Sequence, residues 1–281
     1  MGNVLFIVWR ESLEAVLIIG ILHSFMKRTS GDAAKGLRFI WSGVAVGVAL
    51  SVALGWVTVE IQDSLQGARL DYFQTAMLFL SAALMTQMVV WMNKHGRKMK
   101  KELESSLSSA MSTSGFWGVS VVAALAVARE GTETVIYLYG LSLESSGAGM
   151  AVAAFVGFVL ALFTAWTVSR GIRFLDYGRF FKITSLVLLL SASALVVTGT
   201  NRLIEMDFLP SLVNPVWNTS WLLSGSGVIG GIISAFTGYR PRPSLMLVMI
   251  YALYWVLTLG WIQWESRVSK ASSLAAVPVS R

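Results

Sequence analysis

Residues 6–19 read FIVWRESLEAVLII, and residues 126–136 read AVAREGTETVI. Each stretch places one arginine and two glutamates, in the pattern R-E-x-x-E, inside an otherwise apolar segment. A charged side chain at the centre of a bilayer costs roughly 2.5–3.5 kcal/mol even on the most lenient scale. The two copies lie 119 residues apart and bring six such charges into apolar surroundings. We therefore interpret both copies as parts of a functional site.

The chain around these two motifs has the composition of a polytopic membrane protein. Of its 281 residues, 55% are hydrophobic and only 13% are charged, against roughly 25% charged in soluble domains. Unsatisfied backbone groups are costly in lipid, so apolar runs long enough to cross a bilayer are predicted to be helices. Seven such runs occur, at residues 3–26, 38–60, 72–93, 116–141, 149–169, 182–202 and 245–263. The sequence therefore predicts an all-α integral membrane protein with seven transmembrane helices.

The residue inventory argues against an enzyme. The chain has no cysteine, which excludes disulfides, thiolate metal sites and iron–sulfur clusters. Its two histidines lie outside the span interiors, so an intramembrane metalloprotease lacks its usual ligands. The net charge of +7 is typical of basic cytoplasmic loops rather than of nucleic-acid binding. We expect no catalytic residues and no cofactor.

Lysine and arginine are distributed unevenly between the two sides of the predicted membrane domain. The odd-numbered connections and the C-terminal tail hold 16 of them, and the even-numbered connections hold only Arg69, Arg202, Arg240 and Arg242. The positive-inside rule then places the N-terminus outside and the C-terminus in the cytoplasm. Spans 1–3 and 4–6 therefore run in opposite directions, and each triplet begins with a motif helix. This 3+3 inverted repeat is a known transporter arrangement, with the substrate site between the repeats.

The same reasoning divides the single membrane domain into segments. We expect repeat 1 at residues 1–93 and repeat 2 at residues 115–204, joined by a cytoplasmic connection at 94–114. A seventh, C-terminal span at 245–263 follows an outer loop at 205–244, in which residues 221–236 form a re-entrant or interfacial element. Residues 264–281 are predicted to be a cytoplasmic tail.

Helix geometry brings the motif charges together. Within each copy the arginine and the last glutamate are i, i+4 neighbours that can pair, and the two glutamates share a face. Arginine–glutamate bridges that join helices would explain two of the glutamates but leave two unpaired. Carboxylate oxygens are hard donors that suit cations such as Fe³⁺, Mn²⁺, Mg²⁺ or Ca²⁺. The residues alone thus predict a site for a hard multivalent cation, or a proton pathway, built on Glu11, Glu14, Glu130 and Glu133, with Arg10 and Arg129 beside them.

The position of the two motifs, in the first and fourth of seven spans, resembles the oxidase-coupled iron permease family. Its members include the fungal high-affinity iron permease and the bacterial inner-membrane ferrous-uptake permease. The resemblance covers nearly the whole chain and includes Val90-Trp91-Met92 in span 3, Trp217-Asn218-Thr219-Ser220 in the outer loop and Pro243-Ser244 before the last span. It implies iron import across a plasma membrane, with the four glutamates binding and passing iron and the two arginines tuning the site.

The resemblance also implies a partner that oxidises Fe²⁺ at the outer face and hands Fe³⁺ to the permease. Such a partner would be a multicopper oxidase or a cupredoxin- or peroxidase-type protein. The chain departs from the family pattern at four positions, namely Ser12, Gln74, Thr132 and Asn218. These departures leave the glutamate quartet intact and keep open a permease for another cation, such as Pb²⁺ or Mn²⁺. Glu60 and Asp71 flank predicted spans on the outer side and are candidates for a cation entrance.

Overall fold

A computed structural model describes residues 2–29, 32–95, 99–143, 147–169, 177–221 and 228–275. Within these ranges the chain forms eight helices and no strand, which confirms the all-α prediction. The helices are α1 (Gly2–Thr29), α2 (Ala33–Ser64), α3 (Ala68–His95), α4 (Met99–Ser142), α5 (Gly147–Ser169), α6 (Tyr177–Glu205), α7 (Val228–Thr237) and α8 (Leu245–Ala275).

Each of the seven predicted spans lies within one of these helices. Six of them, α2 to α6 and α8, are long and apolar enough to cross a membrane, so the chain has the helices of a multi-pass membrane protein. Helix α1 has 28 residues, but the charges of Arg10, Glu11 and Glu14 interrupt its apolar run. Helix α7 has 10 residues, which is too short to span. Seven spans, the inverted repeat and the orientation remain predictions.

The helices extend beyond several of the segment boundaries predicted from hydropathy. Helix α4 begins at Met99, inside the predicted cytoplasmic connection, and Gly115 interrupts it with φ 61° and ψ −143°. This backbone conformation is open essentially only to glycine, and it falls where the connection was predicted to meet repeat 2. Helix α8 continues to Ala275, inside the predicted tail. Parts of the predicted segments, namely residues 1, 30–31, 96–98, 144–146, 170–176, 222–227 and 276–281, lie outside the described residues.

The chain divides into two compact units, and the first contains both motifs. It comprises Met1–Met77 and Lys98–Phe180. In this unit α1 packs against α2, α4 and α5, and α2 packs against α4. A buried apolar cluster joins three of these helices, through Ile18, Leu22 and Met26 of α1, Ile40 of α2, and Leu107, Val119 and Ala123 of α4. Leu103 and Met111 pack against it one turn to either side of Leu107, so the segment before Gly115 is part of the packed structure.

Helices α2 and α4 approach each other closely along a line of small residues. Gly43, Gly47 and Ser51, spaced four apart on α2, form what we call the glycine seam. A methyl group at Gly43 would collide with the Ser120 carbonyl oxygen of α4, and one at Gly47 would lie 2.8 Å from the Ala124 carbonyl oxygen. Small residues at such spacing allow helix backbones to approach in membranes. The glycine seam therefore allows the backbones of α2 and α4 to approach each other closely.

We expect Gly43→Ala to lower the free energy of unfolding by about 1–3 kcal/mol, because the added methyl group meets a backbone atom that no rotamer change can move. Thermal unfolding of the detergent-solubilised protein measures the effect. Gly55→Ala on the same helix is the matched control, since its methyl group would lie 3.6 Å from Val135 Cγ2, an ordinary contact. Equal melting temperatures for the two variants would contradict close packing at Gly43.

The second unit comprises Leu78–Arg97 and Phe181–Arg281. Its helices are joined by hydroxyl contacts, such as the 3.0 Å hydrogen bond between Thr86 Oγ1 of α3 and Tyr254 OH of α8. The described part of the predicted outer loop has backbone pairing of its own. Val216 N donates to Pro243 O at 2.9 Å, and Leu245 N donates to Val213 O at 2.9 Å. This pairing ties the loop to the start of α8.

Candidate metal centre

The packing of α1 against α4 brings three of the four predicted glutamates together. Glu11, Glu14 and Glu130 each direct one carboxylate oxygen into a common site, and these three atoms lie within 4.8 Å of one another. The residues are only 1%, 3% and 5% exposed. We call this group the acidic triad. Its oxygens are close enough to coordinate one cation together, and they are screened from bulk solvent.

The motif residues favour a helical conformation, and a third helix, α5, covers α1. Glutamate and arginine are good helix formers, so the motifs do not interrupt α1 or α4. Helix α5 packs on the N-terminal half of α1, where Trp9 Nε1 donates to Thr164 Oγ1 at 3.1 Å. A methyl group at Gly157 of α5 would lie 2.5 Å from the Leu5 carbonyl oxygen. The close approach of α5 therefore buries α1 around its motif.

Arg10 lies within the same buried site and binds two of its carboxylates. Its Nη1 donates to Glu11 Oε1 at 2.5 Å, and its Nη2 forms an ion pair with Glu14 Oε1 at 2.7 Å. The predicted i, i+4 pair is confirmed, and the bond to Glu11 is additional. The guanidinium is only 1% exposed, so one buried arginine side chain holds both α1 carboxylates in place.

The second motif has the same sequence pattern but a different environment. Arg129 Nε donates to Glu133 Oε1 at 3.1 Å, which confirms the second predicted i, i+4 pair. The Arg129 side chain is 44% exposed, however, whereas that of Arg10 is only 1% exposed. Glu133 Oε2 accepts a hydrogen bond from Tyr137 OH at 3.1 Å. Both Glu133 oxygens are therefore engaged outside the acidic triad, and its role as a fourth ligand stays a prediction.

The acidic triad has unused coordination capacity and an excess of negative charge. Glu11 Oε2 and Glu130 Oε2 are buried, and neither has a hydrogen-bond partner among the described residues. A buried polar atom without a partner is costly, and a charged one more so. Three ionised carboxylates against the one guanidinium of Arg10 leave a net charge of about −2. A bound multivalent cation would satisfy the open oxygens and balance the charge.

The two candidate entrance residues are not members of the acidic triad. Glu60 is near the end of α2 and Asp71 is in the first turn of α3, and both are exposed. Their role as an entrance stays a prediction. Asn218, where the family pattern frequently has aspartate, accepts a hydrogen bond from Ser220 N at 3.1 Å. It therefore stabilises a local turn of the loop.

Two contributors to the site were not predicted from the sequence. Tyr137 is fully buried and follows Glu133 by four residues, a spacing that places the two side chains on one helix face. Gly131 lies between the acids of the second motif, where a methyl group would collide with Ser51 Oγ of the glycine seam. The first could have been found from its i, i+4 spacing. The second depends on the contact with α2, which the motif itself does not reveal.

Comparison with known proteins gives a consistent result across nearly the whole chain. The model of the "Iron permease FTR1 family" matches residues 1–275. The chain is 28% identical over 272 residues to the ferrous iron permease EfeU of Yersinia pestis, covering 96% of each protein. It is 27% identical over 272 residues to the proteins of that name from Shigella sonnei and Escherichia coli O157:H7, covering 96% of this chain and 98% of each relative. No solved structure matches.

Proposed function

The chain belongs to the iron permease FTR1 family, and from this premise we propose that it is a multi-pass permease that imports iron across a bacterial plasma membrane. The observation that carries the proposal is the acidic triad, in which Glu11, Glu14 and Glu130 direct buried oxygens to a common point within 4.8 Å of one another. Relatives of the same length are named ferrous iron permeases. The six helices long enough to cross a membrane support the localisation.

The chemistry of the site suits iron as a transported ion. Carboxylate oxygens replace part of the hydration shell of a hard or borderline cation, and their negative charge compensates for its dehydration. Glu11, Glu14 and Glu130 act as ligands, and Glu133 joins them as the fourth. Arg10 orients the α1 carboxylates and, with Arg129, keeps the net charge low enough for the ion to leave again.

We place this site in a domain of seven spans, with α1 as the first span and the N-terminus outside. The uneven distribution of lysine and arginine supports this orientation. It makes spans 1–3 and 4–6 an inverted repeat, and the contact between α1 and α4 then joins the first helices of the two repeats. In such transporters the substrate site lies between the repeats.

We further propose that iron reaches the site as Fe³⁺, produced from Fe²⁺ at the outer face by an oxidase partner of the multicopper, cupredoxin-like or peroxidase type. The resemblance to oxidase-coupled permeases supports this step. The all-oxygen donor set is also compatible with it, because Fe³⁺ is a hard cation that favours carboxylates.

Uptake of radiolabelled iron by cells that lack their own iron permease tests the proposal. We expect saturable uptake by the wild-type chain that rises when the oxidase is co-expressed, and a loss of about tenfold or more for Glu14→Gln. Glu102→Gln, at an exposed position of α4 that has no assigned role in the site, is the matched control. Equal uptake by all three chains would refute the carboxylate mechanism. If the cells take up Mn²⁺ or Pb²⁺ but no iron, the site belongs to another cation.

A further inference from the structure

The environment of Glu133 differs from that of the other three glutamates in one respect that bears on transport. Its carboxylate is held from both sides along its own helix. Arg129, one turn before it, donates to Oε1, and Tyr137, one turn after it, donates to Oε2, each at 3.1 Å. The three residues follow the i−4, i, i+4 spacing that places side chains in one row on a helix. We call this arrangement the Glu133 clamp.

The two ends of the Glu133 clamp have opposite environments. Tyr137 is fully buried, whereas the side chain of Arg129 is 44% exposed. The Glu133 side chain between them is 12% exposed, against 0% for Glu11 and 4% for Glu14. Glu133 is therefore more accessible than the α1 ligands of the acidic triad. It follows Glu130 by three residues on α4, a spacing that places the two side chains on one face of the helix.

From this geometry we propose that Tyr137 is a positioning residue that holds Glu133 out of the acidic triad while the site is empty. An incoming cation draws Glu133 away from the Tyr137 hydroxyl and into the coordination sphere, and the hydroxyl binds Glu133 again when the ion leaves. The proposal rests on the proposed function and adds to it the control of one ligand. Glu133 becomes a ligand that exchanges between two partners, whereas Arg10 fixes Glu11 and Glu14.

The hydrogen bond between Tyr137 and Glu133 lowers the affinity of the site for the cation and favours its release. Binding of the cation by Glu133 must break its hydrogen bond with Tyr137, so this bond weakens the apparent affinity of the site. A hydrogen bond to a charged group contributes enough to change an equilibrium constant by about tenfold. The same bond favours departure of the ion, because it stabilises the state that remains. Tyr137 therefore speeds turnover at the expense of affinity.

Tyr137→Phe tests this, because it removes only the hydroxyl and keeps the buried ring. We expect Fe³⁺, supplied as a citrate complex to the purified protein, to bind about fivefold to tenfold more tightly to this variant. In cells, the KM for iron uptake should fall together with the maximal rate. Damage to the fold alone would lower the maximal rate without tightening binding. The Glu133→Gln/Tyr137→Phe double variant should bind like Glu133→Gln alone.

Tyr254→Phe is the matched control, since it removes a largely buried hydroxyl that bonds to Thr86 rather than to a carboxylate. Unchanged or weaker Fe³⁺ binding by Tyr137→Phe would overturn the proposal, as would tightening that persists in the Glu133→Gln background.

Infrared spectra of the metal-free proteins test the clamp independently of iron. The carboxylate band that disappears in Glu133→Gln should shift in Tyr137→Phe, and an unshifted band would refute the clamp even if iron transport is confirmed. If the wild-type chain binds no iron, the proposed function fails, and the same binding comparison made with Mn²⁺ decides the clamp.

Discussion

Glu130→Gln is expected to reduce iron uptake by about 100-fold while leaving the protein as stable as the wild type or more so. Glutamine has the same shape as glutamate but no negative charge, so the acidic triad loses a ligand and about half of its net charge. Losses of a factor of 10–100 follow even from changes to groups that only support a metal ligand. Stability should not suffer, because Glu130 Oε2 has no hydrogen-bond partner in the described part of the chain and its burial is costly.

A loss of uptake without a loss of stability is expected of a residue in a binding site and not of a structural residue. Uptake of radiolabelled iron and the melting temperature in detergent are measured on the same variant. Glu102→Gln, at an exposed position of α4 before Gly115, should change neither quantity. A marked drop in melting temperature for Glu130→Gln would mean that Glu130 has a structural role, and unchanged uptake would remove it from the site.

Arg10→Leu should lower the free energy of unfolding by about 3–5 kcal/mol, the largest effect on stability that we expect from a single substitution. Leucine leaves two buried carboxylates, Glu11 and Glu14, without the guanidinium that pairs with both. Removing one partner of a buried ion pair leaves an uncompensated charge, and here it leaves two. The protein yield in membranes and the melting temperature in detergent measure the loss.

Two further variants separate charge compensation from lost packing. Arg129→Leu should be much milder, because the Arg129 side chain, which pairs with Glu133, is 44% exposed, and ion pairs open to solvent contribute little to stability. Combining Arg10→Leu with Glu11→Gln and Glu14→Gln should recover most of the stability without restoring transport. Equal destabilisation by Arg10→Leu and Arg129→Leu would contradict the difference in burial between the two motifs.

Much of the fold could be predicted from hydropathy alone. All seven apolar runs correspond to helices, because a long apolar segment can satisfy its backbone in lipid only as a helix. The ends of the helices were less predictable from hydropathy, since α8 continues to Ala275, beyond the apolar run that predicted it. The packing of Leu103, Leu107 and Met111 was not predicted, because an amphipathic segment next to a membrane can equally lie on lipid headgroups.

The charged pairs within the two motifs were predictable from the sequence, but the difference between their environments was not. The i, i+4 pairs of Arg10 with Glu14 and of Arg129 with Glu133 are confirmed, because they depend only on helix geometry. The burial of Arg10 depends on α4 and α5 both packing on α1, which the motif does not encode. The i, i+4 spacing of Tyr137 from Glu133 is visible in the sequence, but this spacing alone does not show that Glu133 is separated from the acidic triad.

The close approach of Gly131 to Ser51 changes how the second motif should be written when other sequences are searched for it. The pattern R-E-x-x-E treats the two central letters as equivalent, but in this packing the first has no room for a methyl group unless Ser51 moves. The residue type at position 131 is thus limited by the contact with α2 and not by the bound ion. A search pattern that requires glycine there, together with small residues four apart on the second helix of the chain, would select chains that can form the whole site rather than only its charges.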